Sequence, residues 1–246
     1  QQALGQPLNA WAIDRAILLA DDLPGVAVSG ALRAGQRYGE TELVYKVADE
    51  PALTGDVRAD NTGARSTGAS RLSANLLVNS PEGWGDQLAL SAALSEGSRY
   101  GRAAYSVSLG DDGWRVGANA SALNYTLIGL DGKGTSQTIG LEARYPIVRA
   151  RQHNLYLSIN ADQKQFDNQF NGATSTQYGM ETATVGLSGN LFDDLAGGGA
   201  NTAILGWTSG HRNNQVGTTS GGFNKLRYSL SRQQALTPAL SWLVAL

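Results

Sequence analysis

Eleven charged residues carry most of the chemistry this sequence offers: Asp56, Arg58, Asp60, Arg71, Arg102, Arg115, Glu142, Arg144, Asp162, Lys225 and Arg227. Each sits at the polar parity of an alternating stretch, so in an extended chain they share one side of the backbone with Ser, Thr and Asn. Mixed charges so placed suit a wet face that holds or steers polar groups, and equally any face that must stay solvated. Catalytic constellations do not assemble. His153 and His211, the two histidines, fall in a short turn and a long loop at opposite ends of the predicted strands, so neither a shared metal nor a Ser-His pair is expected. Asp111-Asp112 and Asp193-Asp194 read as solvated turn carboxylates. Gly197-Gly198-Gly199 lacks the Lys-Ser/Thr and following helix of a phosphate loop and reads as a flexible turn. The expectation is therefore no catalytic residue, no metal and no cofactor.

Composition narrows the classes. Gly supplies 31 of 246 residues, about 13% against a usual ~7%, and charged residues are 16% against a usual ~25%. Six prolines and no triplet period exclude collagen. A net charge of -2, with apolar residues spread from end to end, excludes disorder. Nineteen basic residues against 21 acidic ones form no polycationic surface, so nucleic acid is not an expected partner. Zero Cys removes disulfides and thiolate chemistry and leaves the compartment open. No stretch reaches the ~18 uncharged apolar residues of a membrane helix, and any targeting peptide is expected to lie upstream or to have been removed.

The elements that must position the charges fall into two parts. In residues 1–51, Asn9 is a plausible N-cap for a helix carrying Trp11, Ala12, Ala16, Leu19 and Ala20 at helical spacing. Alternation at 26–34 and 40–47 then predicts a hairpin. One helix and two strands bury little, so a pairing element is expected upstream. Residues 52–246 read as about eleven alternating stretches near 53–61, 69–79, 87–95, 99–110, 114–127, 135–146, 153–164, 179–192, 199–210, 222–236 and 239–246. In 153–164, Leu155, Leu157, Ile159 and Ala161 oppose Asn154, Tyr156, Ser158, Asn160 and Asp162.

A soluble sandwich shows the same period, but three features favour a transmembrane antiparallel β-barrel. The stretches run to about ten to twelve residues, the length that crosses a bilayer at a tilt. Aromatics stand near strand ends: Tyr100, Trp114, Tyr125, Tyr145, Trp207 and Trp242. Short turns follow the even stretches, and longer polar loops near 129–134, 165–178 and 211–221 follow the odd ones. An odd strand number cannot close such a barrel, so further strands are expected beyond Leu246.

The run Leu53-Thr54-Gly55-Asp56-Val57-Arg58-Ala59-Asp60-Asn61-Thr62-Gly63, with Ser66-Thr67-Gly68, resembles the first barrel hairpin of the outer-membrane transporters of two-partner secretion, the haemolysin-activator type. So do Asn79-Ser80-Pro81, Gly85-Asp86-Gln87-Leu88, Tyr105-Ser106-Val107 and Gly113-Trp114 in their order and spacing. Leu23-Pro24-Gly25-Val26 and Gly39-Glu40-Thr41-Glu42-Leu43 are similar to the second half of a POTRA domain. The resemblance implies a mainly β protein: the C-terminal part of a periplasmic POTRA module at 1–51, then, at 52–246, about eleven strands of a sixteen-stranded barrel. It implies a pore in the Gram-negative outer membrane that takes an unfolded exoprotein from the periplasm to the cell surface. Partners would be that exoprotein and outer-membrane lipid, and no enzymatic activity is implied. The eleven charges would then line the lumen and tune it or hold a plug, and Val28 and Val44 would mark the edge that a cargo strand extends. A passive porin for small solutes is the alternative. The family's plug helix and its Arg-Gly-Tyr loop are not in this sequence, so their residues are not carried over.

Overall fold

The computed structural model describes residues 5–217 and 219–246. Helix α1 spans Ala10–Asp21, and the Asn9 side chain accepts from the Ala12 N–H at 3.2 Å. Two strands follow, β1 (Val26–Ala34) and β2 (Thr41–Asp49), paired antiparallel from Val26 opposite Asp49 to Ala34 opposite Thr41. The helix lies on β1 so closely that a Cβ at Gly30 would collide with Ile17. Ile13 is buried beneath the helix.

Eleven strands then form a single antiparallel meander. They are β3 (Leu53–Asp60), β4 (Arg71–Asn79), β5 (Gln87–Ser95), β6 (Ser98–Leu109), β7 (Trp114–Thr126), β8 (Gly132–Arg149), β9 (His153–Phe170), β10 (Ala173–Asp193), β11 (Gly199–Val216), β12 (Gly221–Thr237) and β13 (Leu240–Ala245). Each pairs with its chain neighbours, and the alternation of the sequence becomes two faces. On the apolar face, Leu72 faces Leu94, Leu141 faces Ala161, Leu157 faces Leu187, and Leu205 faces Tyr228. No second layer of described residues covers that face: Ile139 is 67% exposed, Leu141 65% and Leu226 63%. A sandwich core is therefore absent. Pro146, which has no donor for the ladder, sits where the β8–β9 register shifts.

The expected long loops are a different structure. Residues near 129–134, 165–178 and 211–221 mostly extend strands, so β8, β9 and β11 reach 18 residues and β10 reaches 21. Residues 165–178 form a hairpin closed by Asn171-Gly172, at φ 50° and 73°, the left-handed pair that a two-residue turn demands. Alternation vanished from this sequence because the apolar face itself turns polar. Along β9 it runs Leu157, Ile159, Ala161, then Gln163, Gln165, Asp167 and Gln169; along β10 it passes from Val185 and Ala183 to Glu181 and Gln177. Backbone pairing continues where side-chain contrast ends. On the opposite face of this extension Phe166 stacks on Tyr178 with centroids 4.7 Å apart. Tyr100 and Tyr125 are also on the polar face, against the expectation of an interfacial girdle, and the Tyr125 hydroxyl donates to Asn168 at 2.8 Å. Trp114 and Tyr145 do stack on the apolar margin, at 4.8 Å.

Candidate functional site

Following the register from β3 to β12 places all eleven charged residues on one face. Asp60 stands opposite Arg71, Arg102 opposite Ser121, Arg115 opposite Arg144, Glu142 opposite Gly117, Asp162 opposite Gly140, and Lys225 opposite Thr208. Asp56, Arg58 and Arg227 keep the same parity as these neighbours. Some are paired: Arg71 with Asp60 at 3.0 Å, Arg102 with Glu142 at 4.0 Å, and Lys164 with Asp162 at 3.3 Å. Asn75 donates to Asp56 at 3.2 Å. Such exposed pairs contribute about 0–1 kcal/mol each, so they set the character of the face more than its stability. Arg58, Lys225 and Arg227 make no ion pair among the described residues.

The helix of the first unit is fastened to the short-turn end of the meander. Arg149 donates from Nε and Nη2 to the two Asp22 carboxylate oxygens, both at 2.8 Å. Arg151 donates to Asp14 at 2.9 Å. Arg15 donates to the carbonyl oxygens of Pro146, at 2.9 Å, and Asp112, at 3.3 Å. Trp11 lies 6.2 Å from His153, ring to ring. Between α1 and the polar face these contacts leave a cavity of about 490 Å³, lined by Arg15, Leu19, Arg115, Arg144, Pro146 and Tyr156 among others.

The turn after β4 is fixed from within. Asp86 is fully buried and accepts the Tyr105 hydroxyl at 2.8 Å and the N–H groups of Trp84 and Glu82 at 3.2 and 3.3 Å. Burial opposes ionisation, but the hydroxyl and the two N–H groups prevail and hold the carboxyl below the ordinary Asp value. The carbonyl of Gly85 accepts from Arg115 at 3.0 Å, and Leu23 lies against Gly85.

The two edge residues named from sequence do not offer donors to a cargo strand. Gly35 N–H bonds Glu40 O and Glu50 N–H bonds Gly25 O, which makes Ala31 and Val44 a hydrogen-bonded pair and Val28 and Val47 a non-bonded one. Val44 thus turns its N–H into the hairpin. Val28 turns its N–H outward, where the Asp21 carboxylate accepts it at 2.7 Å. The outward donors of β2 are instead those of Leu43, Tyr45 and Val47. His153 opens β9 and His211 lies within β11, not in a loop, so the two stay at opposite ends of the sheet. Sequence reasoning missed Asp14, Arg15, Asp22, Arg149 and Arg151. The one signal available was the absence of neutralising partners for Arg149 and Arg151 within their own turn.

Four relationships with known proteins bear on this arrangement. Residues 39–245 match the family of haemolysin secretion/activation proteins ShlB/FhaC/HecB. The heme/hemopexin transporter protein HuxB of Haemophilus influenzae strain 86-028NP is 30% identical over 191 residues, which cover 74% of this chain and 34% of HuxB. The chain thus spans about a third of the length of that curated relative. Among solved structures, CdiB from Escherichia coli shares the fold with a TM-score of 0.77 at 23% identity, over 98% of this chain and 48% of that one. CdiB from Acinetobacter baumannii aligns with a TM-score of 0.56 at 14% identity over 94% of this chain and 46% of its own.

Proposed function

The chain belongs to the haemolysin secretion/activation family, and from that premise we propose that it forms part of an outer-membrane pore that passes an unfolded exoprotein from the periplasm to the cell surface. The carrying observation is the two-faced meander: one bare apolar face and, opposite it, one continuous face with all eleven charges. A bare aliphatic face of that extent fits burial against lipid, and a polar face of mixed charge suits a water-filled lumen. β3 and β13, each paired on one side within the described residues, would close through strands supplied elsewhere in the complete transporter. The helix–hairpin unit, read as part of a POTRA module, then stands at the periplasmic mouth.

Cargo capture by strand addition would use the outer edge of β2, whose donors belong to Leu43, Tyr45 and Val47. The test has two arms in the full-length protein. Cysteines at Leu141, Leu157 and Leu187 should be shielded from water-soluble reagents while those at Glu142, Ser158 and Ser188 react; the reverse pattern would sink the barrel. Tyr45→Pro removes one outward donor and should lower exoprotein secretion while ion conduction persists. Secretion left intact by Tyr45→Pro would rule out strand addition at this edge. A protein that conducts small solutes but exports no polypeptide would be a passive porin.

A further inference from the structure

We propose that the cavity between α1 and the polar face is a carboxylate-binding station, which holds an acidic side chain of the polypeptide entering the pore. The proposal rests on the export reading and names the chemistry of the segment that passes. Three guanidinium groups line the cavity, those of Arg15, Arg115 and Arg144. Each is positioned by neutral groups. Arg115 donates to the Gly85 carbonyl at 3.0 Å, to Ser108 at 3.1 Å and to Ser106 at 2.9 Å. Arg144 lies over the Tyr156 ring, 4.0 Å from its centroid, which fixes the plane and leaves the edge donors for another partner. Arg15 donates to two backbone carbonyls.

Among the described residues no carboxylate comes within 4.0 Å of any of these three groups. Three aspartates do line the same cavity. Asp22 is held by both of its oxygens on Arg149, while Asp111 and Asp112 stand on the exposed turn. Arg115 is half-buried, and a guanidinium withdrawn from water with only neutral acceptors favours an incoming carboxylate. The helix wall is otherwise apolar: beside Arg15 it carries Ala12, Ala16 and Leu19, with Leu23 at its exit, while Arg115 and Arg144 stand across from it on the sheet. Guanidinium groups set among aliphatic side chains fit a segment in which an Asp or Glu neighbours an aliphatic residue. The site lies under the helix that is clamped to the rim, so a chain leaving the helix–hairpin unit meets it before the rest of the polar face.

The experiment uses the full-length transporter in detergent and three short fluorescent peptides, alternating Leu with Asp, Ser or Lys. The Asp peptide should bind about tenfold more tightly than the Ser peptide, and its affinity should fall as salt is raised. Arg144→Gln should remove most of that preference, Arg144→Lys should keep part of it, and Arg144→Glu should shift it to the Lys peptide. Arg65→Gln, in the loop at the other end of the sheet, should leave it unchanged. Equal binding of the Asp and Ser peptides, or a preference that survives Arg144→Glu, overturns the proposal. So does inorganic phosphate alone binding more tightly than the Asp peptide, which would make the ligand a phosphate. If an Arg144 variant does not fold, the peptide order and salt response of the wild type still decide. An Asp preference in a protein that exports nothing in cells would overturn the export reading and leave the carboxylate site standing.

Discussion

The two ends of the meander are built on opposite rules. At the short-turn end, structure comes from side chains: Asp22 on Arg149, Asp14 on Arg151, Arg15 on two carbonyls, and Asp86 gathering two N–H groups of its own turn and the Tyr105 hydroxyl of β6. At the other end β8 to β11 run on as paired backbone whose outward residues are Gln137, Gln163, Gln165, Glu181, His211 and Asn213. A bilayer needs only about 9–11 residues of tilted strand, so these strands of 18 to 21 exceed it by roughly half their length. The contrast teaches that the ladder, once nucleated in the apolar band, carries on for as long as backbone groups find partners. The other end needs specific contacts, because it must hold a separate unit against the sheet.

The sharpest way to break this contrast is to put the same charge on one face at two heights. Leu157→Arg should cost about 2–4 kcal/mol of stability in lipid, whereas Gln165→Arg, at the same parity in the extension, should cost less than about 1 kcal/mol. Unfolding titrations in vesicles measure both, and equal costs would remove the boundary between band and extension. Next in size is the clamp. Arg149→Ala should loosen α1 by about 1–2 kcal/mol, a bidentate pair discounted because the Asp22 side chain is 42% exposed. Cross-linking between cysteines at Ala16 and Asp112 should then slow several-fold; an unchanged rate would show that packing alone seats the helix.

The Asp86 turn gives a smaller effect with a defined sign. Its carboxyl is held below the ordinary Asp value of 3.8, so its stabilisation is complete above that pH and disappears as acid protonates the folded carboxylate below it. Protection of the Trp84 and Glu82 amides, taken relative to the intrinsic exchange rate at each pH, should therefore fall only below the ordinary Asp value, and Tyr105→Phe should start that fall at a higher pH. Protection indifferent to both acid and Tyr105→Phe would remove Asp86 as the organiser of the turn. The smallest effect is at the pair Arg71–Asp60, 3.0 Å apart on the polar face, where Arg71→Ala should change stability by less than about 0.5 kcal/mol. A larger loss in the same titration would mean that the pair is structural and not simply part of a wet surface.

What could be read from the chain follows from the period of side-chain contrast. Helix α1 with its Asn9 cap, the hairpin after it, the start of nearly every strand and the shared face of eleven charges all rest on local alternation, which the ladder preserves from strand to strand. The Gln- and Thr-rich segment 165–178 is unreadable by that rule because the aliphatic face turns to Gln165, Asp167 and Gln169 while the other face carries Phe166 and Tyr178, so the contrast of the strand below is lost, although Asn171-Gly172 carries the turn signal.

The sequence by itself determined the order of the strands and the two faces, since a side-chain period of two leaves one register that keeps every aliphatic residue together. Only the tertiary structure decided which backbone donors of the hairpin point outward, since that depends on which pairs of the ladder are hydrogen-bonded and not on residue type. It alone brought Asp22 to Arg149 across 127 residues and gathered Arg15, Arg115 and Arg144 around one cavity. Contacts between elements far apart in sequence depend on where the elements dock, and no local pattern encodes that.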